Sequence, residues 1–209
     1  MALDTIGQQL RAQAPANPAE TQPEPGHHEQ LEDYAQILQG RLQLQHTSLA
    51  LAELLHRSWQ AQAAQAQRKG LRCTCHGLSQ LPARVQADPQ RLQQIIDNLL
   101  SNAIRLTASG RVELHAHWQH STATAGVLYL YVVDTGAGLS NRAKDRLFDP
   151  FDHVLDQLHR HHRGQNGFAR HLGLVVTAGI VRAWGGQIEV RSALGTGSTF
   201  MVELPMACG

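Results

Sequence analysis

An uninterrupted apolar run, Val127–Val133, ends in the carboxylate of Asp134 and continues into two glycines separated by one residue, Gly136 and Gly138. Such a run followed by glycine is typical of a buried β-strand. A carboxylate at the end of a strand can accept a hydrogen bond from a ligand amine, and glycines let the backbone approach a ligand closely. An Asp-x-Gly sequence after a strand is, by itself, more often only a turn. The pattern therefore predicts a strand with a candidate pocket at its end.

A predicted amphipathic helix upstream of this strand carries a polar stripe. Asp88 is its expected N-cap and Pro89 its first residue. Its core-facing positions follow helical spacing: Leu92, Ile95, Ile96, Leu99, Leu100, Ala103 and Ile104. Asn98, Asn102 and Arg105 form a second stripe on the same helix. Amide oxygens suit Mg²⁺, and amide and guanidinium N–H groups donate to phosphate oxygens. The stripe therefore favours a metal-bound polyphosphate, with a solvated polar face as the alternative.

Local patterns predict the other elements. Helices are expected over 48–68, starting at Ser48, and over 172–184, ending before Gly185 and Gly186. Strands are expected at 71–75, 84–86, 111–118, 127–134, 187–192 and 199–204. Helices and strands thus alternate irregularly. This predicts an α/β two-layer sandwich, with a mixed sheet and helices on one face.

Four blocks of the sequence resemble motifs of the catalytic ATP-binding domain of sensor histidine kinases, part of the GHKL ATPase superfamily. They follow that family's order over residues 71–205: the N box at 94–105, the first glycine box at 134–139, the F box at 147–151, and the closing strands at 185–190 and 195–200. The resemblance implies the same two-layer fold. It also implies ATP and Mg²⁺ as cofactors and a place in a two-component phosphorelay.

The resemblance implies a role for each candidate site residue. Asp134 would hold the adenine amine, and Asn98 would bind Mg²⁺. Asn102 and Arg105 would contact phosphates. The other nucleotide-site residues carried over are Gly136, Gly138, Leu139, Phe148, Gly173, Leu174 and Ser198, the last with its hydroxyl near adenine. Phosphoryl transfer mainly needs positioning and charge neutralisation, so no protein nucleophile is required on this domain.

The implied reaction is transfer of the ATP γ-phosphoryl group to a histidine outside this chain, on the dimerisation helix of the same or a partner kinase, with a response regulator downstream. Gyrase-like, mismatch-repair and heat-shock chaperone ATPases place a glutamate at position 98 as the general base for water. An amide cannot remove a proton. Asn98 therefore indicates a histidine kinase rather than an ATP-hydrolysing relative.

The second glycine box departs from the family. Counted back from Gly185, the pattern Gly-x-Gly-x-Gly-Leu falls on residues 169–174, where only Gly173 remains of the three glycines. This segment is expected to wrap the phosphates at a helix N-terminus. Ala169 is a mild change, whereas His171 makes any positive φ costly. Charged contacts from Arg170 and His171 could compensate, or the loop could pack differently. The alternative function is a pseudokinase-like regulatory domain with weak or no nucleotide binding that acts by protein–protein interaction.

The residues before the catalytic domain are expected to be helical. We predict partial dimerisation helices over 1–47, with a proline-rich linker at 14–26, and the catalytic domain over 48–209. Residues 31–45 resemble the second dimerisation helix and residues 3–13 the end of the first. The phosphoacceptor motif is missing, since His27-His28-Glu29 begins the wrong helix. A dimer is possible. Histidines and arginines over 152–167 predict a basic lid that attracts phosphate, with a metal site as the alternative.

Composition excludes some classes of partner. The net charge of +1 implies no broad attraction to nucleic acid, so none is expected as a partner. No membrane-length apolar run and no signal peptide are visible, so we expect a cytoplasmic fragment of a membrane-associated protein. Cys73, Cys75 and Cys208 do not have metal-site spacing. Core thiols in a reducing compartment are expected at positions 73 and 75.

Overall fold

The computed structural model describes residues 26–148 and 169–209. The predicted first helix at 3–13, nearly all of the proline-rich linker, the last three residues of the F box and the basic lid lie outside the described residues. Within the described ranges, none of the helices is both long and apolar enough to cross a membrane.

The described helices and strands alternate along the chain. The helices are α1 Gly26–Leu38, α2 Leu51–Arg68, α3 Pro89–Leu106, α4 Asn141–Arg146 and α5 Ala169–Ala183, with a single 3₁₀ turn at Leu78–Gln80. The strands are β1 Thr47–Leu49, β2 Arg72–His76, β3 Val85–Ala87, β4 Arg111–His120, β5 Ala125–Asp134, β6 Gln187–Ala193 and β7 Gly197–Cys208. The predicted elements occur in the predicted order, and most of their boundaries differ from the prediction by one to three residues, whereas β1 and α4 were not predicted.

The strands form one mixed, seven-stranded sheet. Its order is β1-β3-β7-β5-β4-β2, and β6 pairs with β7 beside β3. Strands β2 and β4 are parallel, whereas the other pairs are antiparallel. The long β5–β7 pairing brings Asp134 opposite Ser198. The mixed sheet that the sequence predicts is therefore confirmed.

The core lies between the sheet and helices α2, α3 and α5. All seven apolar positions predicted for the core face of α3 are at most 1 % exposed. Strand β5 alternates, because Leu128, Leu130 and Val132 are buried while Tyr129 and Tyr131 on the other face are only partly buried. The apolar run of β5 is therefore covered by helices on one face only, which corrects the expectation of a fully buried strand.

Two helix boundaries differ for tertiary reasons. The helix expected to start at Ser48 begins at Leu51, because residues 47–49 pair with β3 and Arg84 donates to the Ser48 hydroxyl at 2.8 Å. The helix expected over 31–45 ends at Leu38, where the chain turns through Gly40 with a φ of 63°. Residues without a Cβ adopt this left-handed conformation with little strain, so a glycine here favours the helix end.

Helix α1 packs on the helical layer of the domain. The Asp33 carboxylate is 3 % exposed and lies 2.6 Å from the Arg91 guanidinium of α3. It also accepts a hydrogen bond from the Gln94 side chain at 2.6 Å. On α5, Gly179 leaves room for Ile37, since a Cβ there would lie 2.5 Å from its side chain. Helix α1 thus contacts the N-terminal half of α3 and packs against α5.

Candidate functional site

Asp134 is a buried carboxylate at the end of β5. Its side chain is 4 % exposed, and Oδ1 accepts a hydrogen bond from the Gly136 amide at 2.8 Å. Burial raises the pKa of Asp134, and hydrogen bonds from the Gly136 amide and from the Ser198 amide and hydroxyl act in the opposite direction. A carboxylate held by several donors in this way is fixed in orientation.

The two glycines after Asp134 are required by the protein's own packing. A Cβ on Gly136 would lie 2.7 Å from the Leu106 carbonyl oxygen, at the end of α3. Gly138 has a φ of 69°, and a Cβ there would lie 2.0 Å from the Ala193 carbonyl oxygen. The sequence analysis attributed both glycines to ligand approach. Contact with neighbouring backbone already explains them, and ligand approach stays a prediction.

Ser192 joins the glycine loop to β7, and the sequence analysis missed it. Its hydroxyl accepts from the Leu139 amide at 2.8 Å and donates to the Gly197 carbonyl at 2.8 Å. It also lies 3.0 Å from the Ser198 hydroxyl. The Lys144 ammonium of α4 bonds to the Ser192 carbonyl at 3.1 Å. Ser192 could have been found from the two predicted closing strands, because a hairpin whose turn lies at 194–196 places Ser192 opposite Ser198.

Asn98 faces helix α5. Its Nδ2 donates to the Gly173 carbonyl at 3.1 Å and to the Thr177 hydroxyl at 3.2 Å, and that hydroxyl donates to the same carbonyl at 2.8 Å. Oδ1 stays outside these two hydrogen bonds. A Cβ on Gly173 would lie 3.2 Å from Asn98 Oδ1, so the one glycine kept from the second box preserves space beside this oxygen. A hard oxygen beside such a space fits a magnesium ligand.

Asn102 and Arg105 lie in the last turns of α3. Asn102 is 7 % exposed, and its Oδ1 accepts a hydrogen bond from the Arg105 guanidinium at 2.5 Å. The Lys69 ammonium caps this end of the helix, with contacts of 2.6 Å to the Ile104 carbonyl and 3.2 Å to the Thr107 carbonyl. A cation at a helix C-terminus is favourable because it opposes the helix dipole. The end of α3 is therefore held firmly beside the glycine loop.

The contact of Gly136 connects the residue expected at adenine to the helix that bears the residues expected at the phosphates. Gly136 adjoins the Leu106 carbonyl, while Asn102 and Asn98 lie about 6 and 12 Å further back along the axis of α3 at the usual helical rise. Asp134 and the asparagines are thus connected through the end of one helix. This spacing is on the scale of a nucleotide.

The remaining predicted residues have less defined roles. Phe148 and Leu174 are partly buried and pack against the core, and Leu139 contributes its backbone amide to Ser192. Helix α5 begins at Ala169, so the altered second glycine box is helical. Across 26–148 and 169–209, no group of three or more His, Cys, Asp and Glu side chains could hold a metal ion. A metal at this site would therefore depend on amide oxygens and on the ligand's own phosphates.

Comparisons with known proteins agree with this geometry. A family described as "Histidine kinase-, DNA gyrase B-, and HSP90-like ATPase" matches residues 87–207. The signal transduction histidine-protein kinase BarA of Escherichia coli (strain K12) is 33% identical over 172 residues, which are 82% of this chain and 18% of BarA. The sensor protein GacS of Pseudomonas syringae pv. syringae is 33% identical over 174 residues, 83% of this chain and 19% of GacS. The chain therefore spans about a fifth of the length of these relatives.

Solved structures show the same fold. Full-length ShkA in complex with AMPPNP is 26% identical, with a TM-score of 0.71, over 88% of this chain and 36% of ShkA. The histidine kinase AdeS of Acinetobacter baumannii has a TM-score of 0.60 at 19% identity, over 96% of this chain and 93% of AdeS. The similarity thus extends from the sequence motifs to the arrangement of the sheet and helices.

Proposed function

The chain belongs to the family of histidine kinase-, DNA gyrase B- and HSP90-like ATPases, and we propose that it is the ATP-binding catalytic domain of a two-component sensor histidine kinase. Its reaction is transfer of the γ-phosphoryl group of ATP to a histidine on a dimerisation helix of the same or a partner kinase. A response regulator would then receive the phosphoryl group. The observation that carries this proposal is the buried Asp134 carboxylate beside the end of the helix that bears Asn98 and Asn102.

The residues of this chain bind and orient the nucleotide. Ionised Asp134 accepts a hydrogen bond from the adenine amine, and the Ser198 hydroxyl beside it keeps the carboxylate in place. Asn102 and Arg105 exchange their mutual hydrogen bond for phosphate oxygens. Leu139, Phe148, Gly173 and Leu174 complete the proposed nucleotide site.

Mg²⁺, held by Asn98 Oδ1 and by the nucleotide, would supply the charge neutralisation that phosphoryl transfer requires. Asn98 has no basic group with which to activate water. The site therefore favours transfer to a histidine over hydrolysis. The basic residues of the lid, which lie outside the described residues, are proposed to attract the phosphates.

The catalytic unit is proposed to begin near residue 48, after the helical segment. Strand β1 pairs with β3 and so belongs to the sheet, whereas α1 packs on the helices through Asp33. This arrangement supports a division just before β1, close to the boundary at 47–48 that the sequence predicts. It leaves α1 as the candidate for part of a dimerisation module.

Isothermal titration of the chain with AMPPNP and Mg²⁺ tests the binding claim. We expect saturable binding that requires the metal, and weaker binding by the D134N variant. The matched control is D145N, because Asp145 lies on the exposed side of α4, close in sequence to the glycine loop. Absence of heat at millimolar nucleotide for the wild-type chain would sink the proposal.

A second candidate function rests on the altered glycine box. The loss of two glycines from residues 169–174 supports a pseudokinase-like domain that regulates a partner kinase by heterodimer formation. This candidate predicts weak binding by the wild-type chain and a sharp gain for the A169G/H171G variant, about 1–3 kcal/mol if one or two phosphate contacts return. Unchanged affinity in that variant would count against it.

A further inference from the structure

Strand β6 forms an edge of the sheet. It pairs with β7 on one side, and none of the described residues pairs with it on the other. An unpaired edge presents N–H and C=O groups to which another strand can bind. The free edge of β6 is therefore a candidate interface, and its chemistry depends on which of its residues direct these groups outward.

The alternation of β7 identifies the outward residues of β6. The Cys208 amide donates to the carbonyl of Thr124, next to β5, and the Gly209 amide donates to that of Arg84, next to β3. Pairing of β7 with β5 is continuous, so even-numbered residues of β7 bond to β5 and odd-numbered ones face β3 and β6. The residues of β6 that lie opposite the even-numbered ones therefore direct their backbone groups outward: Ile188, Val190 and Ser192. The bond of 3.1 Å from the Lys144 ammonium of α4 to the carbonyl of residue 192 agrees with this direction.

The sequence of β6 is complementary to itself about Val190. In an antiparallel pair of two β6 strands with a two-fold axis at Val190, the two copies of this residue form a hydrogen-bonded pair, and Ile188 pairs with Ser192. Glu189 then lies opposite Arg191 of the second copy, in a non-hydrogen-bonded pair, where side chains are closest. Both side chains are exposed, and neither has an ion-pair partner among the described residues. Opposite charges in this position stabilise a pair of strands.

Charge selects this register over the alternatives. An axis at Ile188 or at Ser192 leaves both charged residues opposite uncharged ones. An axis at Glu189 or at Arg191 places like charges opposite each other, which destabilises a pair of strands. Charged residues on an edge strand usually oppose pairing, but here their positions favour one symmetric partner, a second copy of this chain.

The same register joins an exposed leucine to a cavity. Leu194, in the turn after β6, is 69 % exposed. A cavity of about 260 Å³ lies between α5 and the start of β6, and its lining includes Ala178, Val181 and Gly186. With the axis at Val190, Gly186 lies opposite Leu194 of the second copy. Removal of the leucine's apolar surface from water at this point stabilises the pair.

From these observations we infer that β6 is an interface between two copies of this chain. The two strands pair antiparallel about Val190, Glu189 binds Arg191 of the second copy, and Leu194 enters the second copy's cavity. The Lys144 bond persists, because a carbonyl oxygen accepts from two donors. Each copy contributes one strand of seven residues, so the interface is at the small end of specific ones. The dimer is weak, with a dissociation constant on the order of 100 μM.

Sedimentation velocity over a range of chain concentrations tests the interface. E189R and R191E should each weaken the dimer by about tenfold or more, because each places like charges opposite each other. The double variant E189R/R191E restores opposite charges and should recover the wild-type affinity. A mixture of the two single variants should form a heterodimer, because one carries only positive and the other only negative charge at these positions. The matched control is R72E, a charge reversal on the edge strand β2 at the far end of the sheet.

Two further measurements locate the contact. L194A should weaken the dimer several-fold, whereas L31A should not, since Leu31 is also exposed but lies on α1. Amide hydrogen exchange at Ile188 and Val190 should slow as the chain concentration rises, because these amides gain a partner only in the dimer. The amide of Glu189, which is bonded to β7, should exchange at the same rate at all concentrations.

The outcomes are distinct. A chain that stays monomeric at millimolar concentration overturns the inference. A dimer that survives both single reversals, or that the double variant does not restore, also overturns it, because the contact then lies elsewhere. Thermal melting shows whether each variant is folded, and E189K and R191D, with the same expected results, replace a reversal that unfolds the chain. Nucleotide takes no part in these measurements, so their result is independent of the proposed function.

Discussion

The adenine end and the phosphate end of the candidate site differ in how their hydrogen bonds are used. At the adenine end, Asp134 is held by the Gly136 amide and by Ser198, and Ser192 ties the loop to the last strand. These bonds fix the orientation of the buried carboxylate. At the phosphate end, the Asn98 Nδ2 is bonded to α5 and the Asn102 Oδ1 is bonded to Arg105.

This difference has an energetic consequence. A ligand that meets a fixed acceptor loses little free energy to reorganisation, whereas a ligand that displaces protein hydrogen bonds gains only the difference between old and new bonds. The adenine end should therefore supply selectivity, because its hydrogen-bond acceptor is already in place. The phosphate end should supply affinity only together with Mg²⁺, because binding of the metal offsets the free energy of the protein hydrogen bonds that are lost.

The largest expected effect is on the adenine end. D134N should lower the affinity for AMPPNP about 10- to 100-fold, because it replaces a charge-assisted hydrogen bond by a neutral one. The stability of the folded protein should not fall. Burial raises the pKa of Asp134, so the folded state loses stability as pH rises above the usual carboxyl pKa of 3.8, and the amide removes this penalty.

Calorimetry and urea unfolding at neutral and acid pH check both parts of this prediction. The stability advantage of D134N should be largest at neutral pH and should shrink as pH falls toward 3.8. If D134N bound AMPPNP with wild-type affinity, the proposed role of Asp134 in binding adenine would be wrong. A strongly destabilised D134N would instead show that the carboxylate is structural.

The phosphate end is tested by a pair of variants at one contact. N98A should lower both stability and Mg²⁺-dependent affinity, the latter by about tenfold, since it removes the proposed magnesium ligand as well as two hydrogen bonds. T177V removes a hydroxyl, 0 % exposed, from the same contact but leaves the Asn98 oxygen in place. It should cost about 1 kcal/mol in stability with little change in affinity.

Urea unfolding and titration of AMPPNP with and without Mg²⁺ distinguish the two variants. If N98A and T177V have equal effects on nucleotide affinity, Asn98 acts only as a contact between α3 and α5. The magnesium role would then be wrong, although the interhelical hydrogen bonds would stand.

A smaller effect on nucleotide affinity is expected for Lys69, at the C-terminal end of α3. K69M should destabilise the domain by about 1–2 kcal/mol, because the ammonium group caps the carbonyls at the end of α3. Affinity should fall only modestly and equally for all nucleotides. The control is R68M, because among the described residues the Arg68 guanidinium donates to the Ala64 carbonyl of its own helix, at 3.4 Å. Equal unfolding midpoints for K69M and R68M in urea would contradict the capping role.

The smallest effect on binding is expected for a partly buried carboxylate outside the site, that of Asp97. Burial raises the pKa of Asp97, while hydrogen bonds from Gln93 and Gln62 lower it, and its Oδ1 has no hydrogen-bond partner among the described residues. D97N should therefore raise stability at neutral pH, and the gain should disappear toward pH 3.8. Nucleotide affinity should not change. Lower stability of D97N at neutral pH in urea unfolding would show that this carboxylate stabilises the fold.

The periodicity of apolar residues correctly predicted the helix and the strand that carry the candidate site residues. The alternation of β5 and the spacing of apolar residues in α3 are local properties, so Asp134, Asn98 and Asn102 could be placed on their elements from sequence alone. Helix starts were less certain. Ser48 was predicted to start a helix, but residues 47–49 instead pair with a strand almost forty residues further along the chain.

Partners across elements could not be read from the sequence. Thr177 meets Asn98 from a helix 79 residues away, and nothing in local spacing indicates this contact. The glycines at 136 and 138 were predicted to admit a ligand, and that stays a prediction. The groups that approach are carbonyls of Leu106 and Ala193, which only the folded arrangement reveals.

Chemical-shift mapping by NMR tests most directly whether both ends belong to one nucleotide site. AMPPNP with Mg²⁺ is titrated into isotopically labelled protein, and the backbone amides of Gly136 and Ser198 are followed together with the side-chain amides of Asn98 and Asn102. The account predicts that all four signals move along one binding curve with a single dissociation constant. Movement at only one end, or separate curves for the two ends, would contradict it.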